Sequence, residues 1–278
     1  MSDRVTCTIA DGVADVRLNR PEKINAIDNA MFEALVEVGE SIKTDATIRA
    51  VVLSGEGRGF CSGLDFSAFQ AMAGNGAGDG AGDGASGGAG ERRSSPFDRK
   101  GRITNLGQQA AYVWTEIPAP VIAAIHGVAL GGGCQIALGA DIRICAPDAR
   151  FSILEIRWGL IPDMTGSQVL PRLVGIDKAK ELTWTGRMVT GEEAARIGLA
   201  TRVSEQPRED AMALAAEIAG KSPQAIRAGK RLLELAGRVP LQEGFANEFK
   251  EISALIGSPD QVEAVTAFFE KRDPVFDS

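Results

Sequence analysis

Apolar and polar positions alternate with two different periods along the first third of the chain. Val13, Asp15 and Arg17 interleave with Ala14, Val16 and Leu18 behind an Asp11-Gly12 turn, and this period of two predicts a strand that ends before Pro21. Met31, Phe32, Leu35, Val36 and Val38 recur at helical spacing and predict a helix that follows Asp28. The run Ala50-Val51-Val52-Leu53, closed by Ser54-Gly55, is short and β-branched, as a buried strand would be. From Pro118 the same alternation resumes, with strands over 121–125 and 141–145 and a glycine-opened helix over 131–139. Thr190 and Glu193 form a capping-box pattern for a short helix closed by Gly198. Beyond residue 205 only helical patterns remain. Ser222-Pro223 and Ser258-Pro259 start two of them, and Gly237 and Gly257 stop two. The reading is an α/β core over 1–200 and a helical region over 201–278. One stretch stands apart: residues 73–90 are half glycine and read as a flexible loop, with a lid role open.

Composition narrows the possible functions. The 278 residues are 44% hydrophobic and 24% charged, enough to bury a core without disulfide or metal staples. Thirty Lys and Arg against thirty-seven Asp and Glu leave a net charge of −7, which disfavours a nucleic acid partner. Four cysteines without CxxC spacing and a single histidine, His126, make a protein-ligated metal site improbable. The charged opening MSDRVTCTIADG lacks the apolar run of a secretory signal. The longest apolar stretch, PVIAAIHGVALGGGCQIALGA, is broken by His126 and three glycines and does not read as a membrane span. The expectation is a reduced, cytoplasmic enzyme.

Two glycine-bearing turns carry the candidate chemistry. Gly59-Phe60-Cys61-Ser62-Gly63-Leu64-Asp65 follows a buried strand, and Leu130-Gly131-Gly132-Gly133-Cys134-Gln135 joins a strand to a helix. Glycines there let backbone N–H groups approach a ligand, and two such turns could aim two donors at one oxygen, as in an oxyanion hole. Either turn alone could equally serve only for tight packing.

Taken together, Leu18-Asn19-Arg20-Pro21, Asn25-Ala26, Phe60-Cys61-Ser62-Gly63-Leu64-Asp65, PAPVIAAIHGVALGGGCQIALGADIRI, LEIRWGLIPDMTGSQVLPRLVG and the tail Phe268-Phe269-Glu270-Lys271-Arg272 resemble the crotonase superfamily, the enoyl-CoA hydratase/isomerase family. The resemblance implies a spiral of ββα units with a C-terminal α-helical trimerisation region, trimers commonly pairing into hexamers. It also implies an acyl-CoA thioester substrate, with no separate cofactor because coenzyme A is part of that substrate. The family's oxyanion donors match the amides of Leu64 and Gly132. Such dipoles would hold the charge on a thioester enolate, and losing one costs roughly 10²–10³ in rate. Lys23 and Ala26 are expected near the CoA adenine and phosphates, with Lys271 reaching in from a neighbouring subunit. Ser62, Asp65 and Phe66 complete the expected substrate-binding set.

The acid–base positions bear on the reaction. Family hydratases use two glutamates: the later one matches Glu155, but the earlier position is Gln135, an amide that can orient water or substrate and cannot act as a carboxylate base. Where hydratases usually carry glycine stands Asp163, eight residues after Glu155, a spacing shared with the family's dienoyl-CoA isomerases, although those usually have a third carboxylate at the Gln135 position. Two carboxylates can take a proton from one carbon and return one to another, which moves a double bond. The first expectation is therefore an isomerase using Asp163 and Glu155. The alternatives are a hydratase using Glu155 with Gln135 positioning water, and a non-catalytic acyl-CoA binder. Plainer roles compete for single residues. Asp163 could only cap the next helix, Glu155 could be a surface or paired carboxylate, His126 could be structural, Cys61 and Cys134 lack a base, and Trp114, Trp158 and Trp184 could simply pack.

Overall fold

In the computed structural model, residues 3–66, 99 and 101–276 are described, so the glycine-rich stretch 73–90 lies outside the described residues. Strands and helices alternate as β1 (Val5–Ala10), β2 (Val13–Leu18), α1 (Asn29–Thr44), β3 (Ala50–Gly55), α2 (Leu106–Glu116), β4 (Val121–Ile125), β5 (Val128–Leu130), α3 (Gly132–Leu138), β6 (Ile142–Cys145) and β7 (Arg150–Ser152), and β1, α2, β5 and β7 were not expected from the pattern. Asp28 caps α1 by accepting the Met31 N–H, as the pattern required. After β7 come α4 (Gly166–Val174), α5 (Ile176–Thr185), β8 (Val189–Thr190), α6 (Gly191–Ile197), β9 (Arg202–Val203), α7 (Pro207–Ala219), α8 (Pro223–Leu235), α9 (Leu241–Leu255) and α10 (Pro259–Glu270). Thr190 caps α6, but only half of the expected capping box forms, because Glu193 pairs with Arg187 at 2.8 Å instead. Among the described residues no helix is long and apolar enough to cross a membrane.

Two sheets build the core. One has the order β1-β2-β3-β4-β6-β9, with β1 antiparallel to β2 and the remaining pairs parallel; the other has the order β5-β7-β8. Each turn of the chain places a strand in the first sheet, an extended segment in the second layer, and then a helix. β4, β5 and α3 show this directly, as do β2, the Ile24–Ile27 stretch and α1. This is the expected spiral of ββα units. Helix α7 follows the boundary anticipated near residue 200, yet it packs with the core. Its Ala211, Ala215 and Ala219 cover Val13, Ala50, Val52, Ile122, Ala124 and Ile144 on the outer face of the large sheet. Small side chains let that helix lie close to the strands.

The second layer is what positions the first glycine turn. Cys61 bridges to Ala129, with Cys61 N–H donating to Val128 and Leu130 N–H donating back to Cys61. On its other side the segment meets Ile27, which donates to the Gly63 carbonyl at 2.8 Å and accepts from Asp65 N–H at 2.9 Å. Asn25, fully buried and in the left-handed region at φ 55°, is the hub. Its Oδ1 accepts from Arg20 N–H, and its Nδ2 donates to the carbonyls of Glu56, Gly59 and Phe60. His126 has the structural role weighed for it, with Nε2 bonded at 2.9 Å to the Gly57 carbonyl. Replacing Asn25 by Ala strands several buried polar groups at once, so Asn25→Ala should destabilise the protein by about 3 kcal/mol in urea unfolding; a loss under about 1 kcal/mol would contradict the hub.

Candidate active site

Both glycine turns end in one cavity of about 470 Å³. Two backbone conformations there exclude other residues. Gly63 stands at φ 90°, where a Cβ would lie 2.7 Å from the Leu130 carbonyl oxygen, and Gly131 stands at φ 51° and ψ −122°. The turns touch, since a Cβ on Gly63 would also lie 3.8 Å from the Gly132 nitrogen. Among the described residues neither Leu64 N–H nor Gly132 N–H has a protein hydrogen-bond partner. Ile27 engages the residues on either side of Leu64 and not Leu64 itself, while Gly132 is the first residue of α3 and its N–H precedes the intrahelical ladder.

The cavity wall is mostly apolar, with Ile27, Phe32, Leu130, Leu160, Ile161 and Met164 among its residues. Sequence reasoning missed these, and it assigned Trp158 to packing. Trp114 is fully buried, but Trp158 is 44% exposed, lines the cavity and meets Phe66 edge-on with ring centroids 5.4 Å apart. Trp184 is exposed as well. The signal was present in the segment LEIRWGLIPDM, which packs six large apolar residues into a stretch too irregular for a strand.

Glu155 and Asp163 both open on this cavity. Glu155 sits in a short 3-10 helix, Leu154–Trp158, directly after β7. Its carboxylate lies beside the second turn, with Oε1 3.4 Å from where a Cβ on Gly131 would be. Oε1 accepts from Gln135 Nε2 at 2.6 Å, and Oε2 is buried without a partner among the described residues. Burial is the main cause that pushes the Glu155 carboxyl above its ordinary range, and the Asp163 charge adds to it. Asp163 is also displaced upward, by partial desolvation. Its residue surface stays open, because Asp163 and Ile161 also border a neighbouring hollow of about 930 Å³, so solvent tempers its shift. Asp163 is no helix cap. Thr165 occupies that position at the start of α4 and makes no side-chain capping bond.

Other expected site residues fall elsewhere. Gln135 is fully buried and does not line the cavity; its Oε1 accepts from the N–H groups of Met164 and Gly166. That oxygen is committed and cannot orient a water in the cavity, which corrects the expectation for Gln135. Ser62 lines the cavity, and its hydroxyl donates to the Lys23 carbonyl at 3.2 Å. Asp65 is buried and turned from the cavity toward Arg20, whose guanidinium bonds it at 2.5 Å and also reaches the Ala26 carbonyl at 3.0 Å. Arg20 thereby ties the Ala26 turn to the Leu64 turn. Lys23 is exposed at the end of a 3-10 helix, and Lys271 is exposed at the end of α10, joining none of these residues within one chain. Cys61 and Cys134 are buried thiols pushed up to about 12, so neither supplies a thiolate.

A spiral of ββα units whose two glycine turns leave free amides over an apolar cavity defines the crotonase class. The comparisons agree. The family model described as enoyl-CoA hydratase/isomerase matches residues 8–81 and 97–278. A protein called "Probable enoyl-CoA hydratase" from Bacillus subtilis is 34% identical over 278 residues, covering 98% of each chain. The peroxisomal Delta(3,5)-Delta(2,4)-dienoyl-CoA isomerase of Arabidopsis thaliana is 34% identical over 262 residues, covering 94% of this chain and 92% of its own. The crystal structure of an enoyl-CoA hydratase from Bacillus anthracis superposes with a TM-score of 0.83 at 31% identity, covering 98% of both chains. This chain belongs to the enoyl-CoA hydratase/isomerase family and is an acyl-CoA enzyme of that family.

The raised carboxyl has a consequence for stability. Because the folded state holds the Glu155 proton more tightly than the unfolded chain does, its contribution is fully present below roughly pH 4 and is lost as pH rises through the higher folded value. Glu155→Gln should therefore raise Tm at pH 7–8, and the gain should vanish near pH 4. A Tm difference that stays constant with pH would contradict the assignment.

Proposed function

We propose that this protein shifts a carbon–carbon double bond along an enoyl- or dienoyl-CoA thioester. The thioester carbonyl sits on the Leu64 and Gly132 amides, Asp163 removes a proton from one carbon of the acyl chain, and the electrons move onto the carbonyl as an extended enolate. Glu155 then delivers a proton to a different carbon, the carbonyl re-forms, and the double bond lies in a new place with no net gain or loss of atoms. The observation that carries this reading is that Glu155 and Asp163 open on the same apolar cavity as the two free amides, while Gln135 stays outside it. An acyl chain laid through that cavity passes both carboxyl groups, and two displaced carboxyls suit proton transfer near neutral pH better than ordinary ones. Lys23 and, from a neighbouring subunit, Lys271 are the cations proposed for the CoA phosphates.

A second reading is hydration by Glu155 alone, and the hydratase names of relatives such as the Bacillus subtilis protein favour it. In that reading Asp163 is dispensable and Gln135 takes no part in handling water. Assays with 3-enoyl-, 3,5-dienoyl- and 2-enoyl-CoA separate the two, and saturable binding without turnover would mark a non-catalytic binder. Glu155→Gln and Asp163→Asn should each cut isomerisation by roughly 10²–10⁴ while leaving KM within a few-fold. Full activity in Asp163→Asn would overturn the two-carboxylate reading and leave the single-glutamate hydratase.

Self-association is part of the same proposal. Leu233, Phe245, Phe249, Ile252, Phe268 and Phe269 on α8–α10 are exposed, more apolar surface than a soluble monomer normally shows. Sedimentation at micromolar concentration should give a trimer or a pair of trimers; a monomer alone would refute it.

A further inference from the structure

Gln135 never reaches the cavity, yet three hydrogen bonds end on its side-chain amide. Nε2 donates to Glu155 Oε1 at 2.6 Å, and Oε1 accepts from Met164 N–H at 2.9 Å and Gly166 N–H at 3.0 Å. The partners fix which end is which. Two N–H groups need an oxygen and a carboxylate needs an N–H, so turning the amide over would break all three bonds. Met164 directly follows Asp163, so one amide joins the two segments that carry the cavity carboxyls. Among the described residues Glu155 Oε2 has no partner, Thr165 stands in the left-handed region at φ 74° without a side-chain cap, and Gly166 is the first residue of α4. The Gln135 carbonyl supplies the acceptor that the start of α4 otherwise lacks. The fit is close, because a Cβ on Gly166 would lie 2.7 Å from Gln135 Oε1.

We propose that Gln135 is a positioning residue that sets the separation and mutual orientation of the Glu155 and Asp163 carboxyls by holding both segments on one amide. This rests on Glu155 being an acid–base group of the site. An amide does this without bringing a second charge beside Glu155. A glutamate could accept both N–H groups, but it would turn an oxygen toward Glu155 Oε1, and the pair would have to share a proton or separate. The Gln135 N–H instead opposes the effect of burial and favours the ionised Glu155. The other titratable groups acting on Glu155 are Asp163 and Cys134, and the Cys134 thiol stays neutral at physiological pH.

The test is a titration of the Glu155 carboxyl by isotope-edited infrared spectroscopy, with the band assigned by its loss in Glu155→Gln. Wild type, Gln135→Met, Gln135→Glu and Gly166→Ala are compared, alongside pH profiles of kcat and kcat/KM. In all three variants Glu155 should titrate about 0.5 pH units or more above wild type, the largest shift falling to Gln135→Glu, because a donor to the carboxylate is lost or displaced. The alkaline limb of kcat/KM, set by the protonated Glu155 that delivers a proton, should move by the same amount, and kcat at neutral pH should fall about 10–100-fold through lost alignment, with KM within about three-fold. Folded variants whose Glu155 titration and pH profiles overlay those of wild type would overturn the proposal, showing that Gln135 serves only the fold. Should Gln135→Met not fold, Gly166→Ala and Gln135→Glu decide the matter with smaller changes. The infrared titration does not depend on which reaction wild type catalyses, so a finding of hydration would remove the proposed function and leave this test intact.

Discussion

Two backbone amides without protein partners among the described residues, those of Leu64 and Gly132, are the constraint around which the rest of the site is arranged. Native folds leave few buried amides unpaired, since each costs about 1–3 kcal/mol. Here the register that pairs Ile27 with the neighbours of Leu64 leaves one amide free, and the first residue of α3 leaves the other. Gly63 and Gly131 permit the backbone to turn so, and the Cys61–Ala129 bridge brings the turns into contact. Further out, Asn25 and Arg20 hold the first turn in place through buried bonds to its carbonyls and to Asp65. A chain of contacts thus runs from the large sheet to two N–H groups that a substrate oxygen would satisfy.

The candidate acid–base groups follow the opposite logic. Glu155 is a carboxyl placed where charge is costly, with one oxygen bonded to Gln135 and the other without a partner among the described residues. That placement lowers stability at neutral pH and, in the proposed reaction, keeps a proton within reach of a carbon acid. Asp163 lies at the opening between two hollows, closer to solvent. Burial displaces both carboxyls upward, and the two differ in their access to solvent, which suits a pair with separate donor and acceptor tasks in the proposed reaction.

Much of this was legible in the residues. The period of two at 13–18, the β-branched run at 50–53 and the serine-proline helix starts gave the elements because local patterning and tertiary burial agree there. The glycine turns were legible because so few residues tolerate their backbone. What stayed hidden depends on spatial neighbours that no spacing encodes. Gln135 reads as a lost base until its oxygen is seen between two N–H groups, and Asp65 reads as a ligand until Arg20 claims it. Trp158 and Met164 look like core residues because an acyl pocket is lined with the same side chains as a core. The seat of α7 on the large sheet was not legible for a similar reason, since alanines at 211, 215 and 219 give no strong apolar signal but fit flush against a sheet.

The most direct test of the two-carboxylate account is mass spectrometry of the products formed from a 3,5-dienoyl-CoA and a 3-enoyl-CoA in deuterated water. The account predicts products with the carbon and oxygen content of the substrate, a relocated double bond, and deuterium on the carbons that exchange protons with Glu155 and Asp163. Products that instead gain the mass of water, with no isomer preceding them, would contradict it.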